Sequence, residues 1–428
     1  MFAYLTALAA LAVLALTARR IEGSWIAPAT IWPIGWLAYA LAALPVIGAP
    51  HTLVPALLWI LLNCSCFLGA AAWSRAAVSG ASRPVPHTRR YRGLGVITAT
   101  LAVAGLLALI SAVHATGFAL RDVVSLPALA RMAAASRITF TFGRQQQDIV
   151  ARALLVLAYT GTPFAGLYFH AARRPAAKVL ALVPLAAIIL IGFVTGSRMG
   201  VLFGGALWLG AYLSASLLGT DDPRREGLRL FGLIGALVLL LLVGGSVAVQ
   251  FVRYFTGSER SIGAIVAEPF GFLASFGRWF ESSGIRATGL TGGFYSFERL
   301  ARALGGDWPT VQAIDVGFTT SNLQTVFRGL IEDFGTVGSL VVVGATGFLS
   351  SIAFRRVVAG YRGWLAALTL TYAMLFTSAA LSAFAYVGPM IAGAAFTAYV
   401  ALMSYTDTSG SNRVAVRSSE PVAGPSGG

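Results

Sequence analysis

Apolar residues run along the chain in blocks of about twenty, the length that carries an α-helix across a bilayer, and short polar or basic stretches separate them. The blocks predict helices at roughly 2–17, 27–48, 52–73, 94–116, 149–170, 179–195, 199–218, 230–252, 336–354, 364–384 and 387–405. That makes about eleven crossings, with ten to twelve admissible. The expected fold is therefore all-α and polytopic, one transmembrane domain over residues 1–405. Two polar interruptions, about 117–147 and 253–335, are too long to be turns. From Thr406 onward Ser, Gly and Pro dominate, and residues 406–428 are expected to form a disordered tail.

Basic residues follow each odd-numbered span. They cluster at Arg19 and Arg20, at Arg75 with Arg83, Arg89, Arg90 and Arg92, at Arg173, Arg174 and Lys178, at Arg224, Arg225 and Arg229, and at Arg355, Arg356 and Arg362. Positively charged loops stay in the cytoplasm, so the N-terminus is expected outside and the tail inside. The first span has its arginines after it and none before, which reads as a retained helix and not as a cleaved signal. The two long interruptions then lie on the outer side.

One stretch tests this topology. "FVTGSRMGVLF", Phe193–Phe203, puts Arg198 inside an apolar run from Val179 to Leu218, too long for one crossing of roughly 20 residues. If Lys178 and Arg224 share a side, the run crosses twice and "TGSRMG" is its outer turn, with Gly196 and Gly200 permitting the reversal. An arginine at mid-membrane costs at least about 2.5–3.5 kcal/mol. That leaves Arg198 anchored among headgroups or pointing into an outward-facing cavity.

The outer segments carry the candidate chemistry. Segment 117–147 holds Arg121, Arg131, Arg137 and Arg144, and Ser125-Leu126-Pro127 is placed to start an interfacial helix with Leu129 and Met132 on its apolar face. Segment 253–335 is rich in aromatics, which argues against disorder. Phe297–Leu304 reads as a short helix stopped by Gly305-Gly306, and Ser321 with Gln324 has capping-box spacing for another. On that second helix Ser321, Thr325, Arg328 and Glu332 share a face. As an ordinary i,i+4 pair, Arg328 and Glu332 would contribute only tenths of a kcal/mol.

Composition narrows the class without changing it. The chain of 428 residues is 57% hydrophobic and 11% charged, with mean hydropathy +0.78. Its net charge of +15 resides in short loops, so nucleic acid is not the expected partner. Cys64 and Cys66, two apart in one span, suit neither a disulfide nor a metal and read as packing residues. There is no P-loop lysine, no zinc spacing and no nucleophile elbow. Asp221 and Asp222 beside Pro223 read as a solvated turn, Glu22 as a lone cytoplasmic acid, and His51 and His114 as interfacial residues.

Three stretches in order, "GFVTGSRMGVLFGGALWLGAYL", "GGFYSFERLARALG" and "GFTTSNLQTVFRGLIEDFGTVGSLVVVGATGFL", resemble the O-antigen polymerase (Wzy-type) family of oligosaccharide repeat unit polymerases. The resemblance covers roughly residues 180–350. It implies a glycan polymerase at the outer face of the cytoplasmic (inner) membrane, acting on polyprenyl-pyrophosphate-linked oligosaccharides, without a cofactor or metal. A sugar hydroxyl of one lipid-linked glycan attacks the anomeric carbon of another, and fixed arginines stabilise the departing polyprenyl pyrophosphate. Arg198 matches the family's Ser-Arg element and Arg328 precedes its Asp-Phe-Gly element, so these two are the leading pyrophosphate ligands. Arg278 and Arg299 are secondary candidates for pyrophosphate or glycan. Asp333, or its neighbour Glu332, is the candidate base, although either acid also suits a cap or an ion pair. Trp279, Tyr295 and Trp308 suit sugar stacking or headgroup anchoring. The resemblance leaves room for a separate chain-length regulator. A lipid-linked glycan ligase of the O-antigen ligase type keeps the same donor site, and a transporter or flippase of such glycans is the non-enzymatic alternative.

Overall fold

The computed structural model describes residues 1–47, 53–78, 91, 93–142, 149–220, 222–238, 244–254, 270–282, 291, 295–296, 314–315, 320–321, 325–380 and 386–418. Its α-helices are α1 (Phe2–Glu22), α2 (Pro28–Ile47), α3 (Val54–Val78), α4 (Leu94–His114), α5 (Leu126–Phe142), α6 (Ile149–Ala171), α7 (Pro175–Thr195), α8 (Arg198–Leu217), α9 (Pro223–Val238), α10 (Gly245–Tyr254), α11 (Gly271–Ser282), α12 (Val326–Val358), α13 (Leu365–Thr377) and α14 (Val387–Ser418). Beside them, among the described residues, stands one antiparallel pairing, β1 (Ile314–Asp315) with β2 (Thr320–Ser321).

Eight helices among the described residues are long and apolar enough to cross a membrane: α1, α3, α4, α6, α7, α8, α12 and α14. The other three expected crossings fall on α2, on α9 with α10, and on α13. These are shorter, or are interrupted by residues outside those described. Apolar side chains such as Val13, Leu58, Val96, Val103 and Val341 point outward from the bundle. On a water-soluble surface that much exposed aliphatic area would aggregate, but against lipid it has no such cost. The fold is that of a polytopic membrane protein.

Inside, the chain has two main cores. One joins α4, α6, α7, α8, α13 and α14 around Ile188, Leu213, Leu368 and Tyr372. The other joins α1, α2, α3, α11 and α12 around Tyr4, Trp36, Phe67, Phe276 and Phe327. Small residues set the closest approaches: Gly347 of α12 lies against the backbone of Phe67, and Gly166 of α6 against that of Trp208.

The basic clusters converge on one end of the bundle. Arg75 donates to the Ile21 carbonyl at 3.2 Å, Ser24 donates to that of Pro223 at 3.0 Å, and the Gly219 N–H donates to that of Val357 at 3.1 Å. His170, just before Arg173, is 3.2 Å from Ser216 at the same end of α8. The Glu22 carboxylate accepts from Arg355 at 3.0 Å and from Ser351 at 2.7 Å, and the same Arg355 nitrogen reaches the Ala71 carbonyl at 3.1 Å. Glu22, expected to be a lone loop acid, is therefore a buried clasp joining α1, α3 and α12.

Two further expectations are corrected. The helix expected to start at Ser321 starts at Val326 after Thr325, because Ser321 pairs with Ile314 in the small sheet and its backbone is committed to a strand. Of the tail expected to be disordered over 406–428, residues 406–418 continue α14 through Ser418, and 419–428 lie outside the described residues. An existing helix extends without a new nucleus, which offsets the poor propensity of Ser and Gly there. The expected helix at Phe297–Leu304, as well as His51 and Trp308, lie outside the described residues.

Candidate functional site

Arg198 stands at the far end from the basic clusters, in the turn between α7 and α8. Gly196 closes α7 in the left-handed conformation (φ 62°), its N–H donating to Phe193 at 3.2 Å while the Ser197 N–H reaches back to Gly192 at 2.8 Å. That pairing satisfies the last carbonyls of α7 and reverses the chain. Gly200 has a different part from the reversal expected of it. It is already helical, and a Cβ there would sit 3.4 Å from the Ile188 carbonyl and 3.5 Å from the Tyr159 hydroxyl. Arg198 is only 8% exposed, so its side chain faces protein and not headgroups. Its guanidinium carbon lies 4.8 Å from the centre of the Phe272 ring.

Phe272 belongs to α11, whose course organises the site. Counting about 1.5 Å per residue from the basic end, Leu202 on α8 and Trp59 on α3 both lie roughly 22–24 Å up the bundle. The first turn of α11 packs on Leu202 and Phe203 through Phe272, and its last turn meets Trp59 through Phe280 at 5.4 Å between ring centres. This helix therefore runs across the bundle, in the half remote from the basic clusters. Its composition is that of an interfacial helix, yet all its aromatic side chains are buried. Trp36 of α2, together with Phe276, packs against Phe327 and floors the site.

Arg328 occupies the second ring position on the same helix. Its guanidinium carbon is 5.1 Å from the centre of the Trp279 ring. Phe272 and Trp279 are seven residues apart, so they share one stripe of α11 about 10 Å apart along its axis. Each arginine thus has a π-face beneath it, worth about 0.5–2 kcal/mol and keeping the guanidinium plane in place. The Nε of Arg328 donates to Glu332 Oε1 at 2.9 Å, with side chains only 9% and 14% exposed. This is no surface i,i+4 pair. Burial makes the charges costly to separate.

Asp333 faces the other way and is 1% exposed. Its Oδ1 accepts from the Thr291 hydroxyl at 2.5 Å and from the Tyr295 N–H at 2.7 Å, and its Oδ2 accepts from the Ser296 N–H at 2.7 Å. The Thr291 N–H adds a bond to the Glu332 carbonyl at 3.3 Å. Just beyond, Gly335 (φ 70°, ψ 177°) breaks α12 into a short N-terminal helix and a long C-terminal one. Asp333 thereby ties Thr291, Tyr295 and Ser296 to that kink.

Three buried polar atoms on the Arg328 face have no hydrogen-bond partner among the described residues, Arg328 Nη1, Glu332 Oε2 and Thr325 Oγ1, and on the neighbouring Gly329 face Ser296 Oγ has none either. Thr325, Arg328 and Glu332 are spaced three and four apart, so they share a face, and Ser296 Oγ lies 3.8 Å from a Cβ built on Gly329. Buried polar atoms are nearly always satisfied, so these are places where a water or a polar ligand can bind. Comparison of the chain with family models, curated proteins and solved structures finds no match.

The remaining candidates are placed as follows. Arg278 is exposed on α11, on the turn between Ser275 and Ser282, and Arg299 lies outside the described residues. Trp279, expected to stack on a sugar or anchor in headgroups, is buried and stacks on Phe276 at 6.0 Å between ring centres. Cys64 and Cys66 are free thiols, the first of them buried in the packing. The sequence singles out Trp279 and Tyr295 but not their partners, and Phe272, Thr291 and Ser296 escape it, because nothing local distinguishes them from other residues of a long polar segment.

Proposed function

We propose that the protein is a membrane glycosyltransferase that joins polyprenyl-pyrophosphate-linked oligosaccharide repeat units on the outer face of the cytoplasmic membrane. The observation that carries this reading is the set of polar atoms without partners around Arg328, beside two buried guanidiniums on one stripe of α11. A pyrophosphate needs fixed, planar, multidentate cations, and a glycan needs hydroxyl partners of the Thr325 and Ser296 kind. The site's depth, below the outer end of the bundle, suits a headgroup whose polyprenyl chain stays in lipid.

In this reading Arg328 and Arg198 take the pyrophosphate oxygens. An acceptor hydroxyl oxygen forms a bond to the donor's anomeric carbon as the bond from that carbon to the phosphate oxygen breaks. The electron pair leaves with the polyprenyl pyrophosphate, where the guanidiniums stabilise the developing charge. The hydroxyl proton passes to a carboxylate. Glu332 suits this role through Oε2, whereas three hydrogen bonds commit the Asp333 oxygens to Thr291, Tyr295 and Ser296. Arg278 and Arg299 are assigned to the glycan.

Purified protein in nanodiscs, given a defined lipid-linked repeat unit, is expected to yield a ladder of lengthening products and free polyprenyl pyrophosphate, unchanged by EDTA. One transfer to a foreign acceptor without a ladder would make it a ligase. Movement of the substrate between leaflets with no new glycosidic bond would make it a transporter, and either outcome removes the polymerase reading.

The same reading puts the N-terminus outside and the C-terminus in the cytoplasm. In a cysteine-free background, Glu281→Cys is expected to react with an impermeant external thiol reagent in intact cells, and Arg229→Cys only after lysis. The opposite pattern would turn the site to the cytoplasmic face.

A further inference from the structure

At the basic end of the bundle, remote from the site above, α1 and α9 enclose a cavity of about 650 Å³ lined by Arg19, Arg20, Trp25, Arg224, Arg225 and Leu228. Arg19 lies over the Trp25 ring at 4.1 Å, which holds that guanidinium at the cavity wall. None of the four arginine heads is in an ion pair among the described residues. The acid in the lining, Asp222, offsets at most one of these four charges. Its Oδ1 accepts the backbone N–H groups of Arg224 and Arg225 at 3.0 and 3.1 Å, capping the first turn of α9. Among the described residues the lining therefore carries four arginines against one carboxylate, which makes the pocket net cationic.

Its surroundings indicate what kind of anion it takes. Leu228 on the rim is 63% exposed, and on α1 Leu16 and Val13 are 50% and 62% exposed. Val13 and Leu16 lie on the lipid-facing part of a membrane-length helix, with Arg19 and Arg20 one turn further on. An anion with an apolar tail fits this order of groups: its head lies among the guanidiniums and its chains run along α1 toward the bilayer interior. A pocket of arginines at the end of the spans, beside exposed aliphatic side chains, has the chemistry that recognises a phospholipid headgroup.

We infer that this cavity binds the phosphodiester headgroup of an anionic membrane phospholipid, such as phosphatidylglycerol or cardiolipin, and clamps α9 to α1 through it. Clamping follows because Arg19 and Arg20 come from one helix and Arg224 and Arg225 from the other, while Ser24, just after α1, donates directly to the Pro223 carbonyl.

The test uses the full-length protein in neutral detergent. Adding phosphatidylglycerol or cardiolipin is expected to raise the melting temperature and to leave retained lipid in native mass spectra, whereas phosphatidylcholine does neither. The variant R20Q/R224Q should melt as the wild type does in neutral detergent, yet bind the anionic lipid at least tenfold more weakly. Leu228→Glu, at an exposed position that does not endanger folding, should weaken binding similarly by placing a carboxylate at the rim. Arg75→Gln, at the same end but outside the cavity, should bind normally. Equal stabilisation by phosphatidylcholine, or undiminished lipid binding by Leu228→Glu, would overturn the inference. So would equal stabilisation by inorganic phosphate at the same concentration, which would make the cavity a site for soluble anions.

Discussion

Arg198→Lys and Arg328→Lys are each expected to lower polymer formation by about 10²–10³-fold, the usual cost of removing one fixed donor from a site of developing negative charge. Both variants keep the charge, so neither disturbs topology. What they lose is the planar fork. At position 328 the guanidinium simultaneously lies over Trp279, donates through Nε to Glu332, and keeps Nη1 for a further acceptor. An ammonium group is one point: if it stays with Glu332 it has no second, rigidly aimed donor to offer. At position 198 the ring of Phe272 fixes the plane of the guanidinium in the same way, and a lysine there would aim poorly. The measurement is single-turnover transfer from a lipid-linked donor, with melting temperature recorded alongside. Transfer within a few-fold of wild type by either variant would remove that arginine from the pyrophosphate site.

Eight of the expected crossings were readable in the sequence because length and hydropathy alone define them, and the convergence of the basic clusters on one end is the structural counterpart of their alternation along the chain. The hairpin at Arg198 was readable too, since only a reversal fits an apolar run of that length between two basic loops. What escaped was decided by distant partners. A helix as aromatic as Gly271–Ser282 has the composition of an interfacial helix, and only the gap between α8, α2 and α3 makes it a buried crosspiece. The capping-box spacing at Ser321 is a local signal, overridden by pairing with Ile314 seven residues earlier. Glu22 meets its partner Arg355 333 residues away, and Asp333 meets its donors 37 to 42 residues upstream. No spacing rule reaches that far.

Asp333→Asn is expected to act on stability first. The amide keeps one acceptor oxygen for Thr291 and Tyr295, but its NH₂ group would face the Ser296 N–H, two donors in contact in a site that is 1% exposed. A buried donor left without its acceptor costs about 1–3 kcal/mol, and here the loss falls on the tie between the Thr291–Ser296 segment and the kink at Gly335. Melting temperature should drop and cleavage within the 255–313 region by added protease should quicken, while transfer below the melting point stays within about tenfold of wild type. Glu332→Gln should do the reverse. Its amide still reaches Arg328, so the fold persists, but Oε2 or the nitrogen in its place no longer accepts a proton at useful pH, and loss of a good base costs roughly 10²–10⁴-fold in transfer. Because the same change also weakens the charge holding Arg328 in position, donor binding is measured separately: unchanged binding with slow transfer identifies a base, whereas weakened binding with an unchanged transfer rate identifies a positioning residue. Slow transfer by Asp333→Asn with an unaltered melting temperature would instead return the base to Asp333.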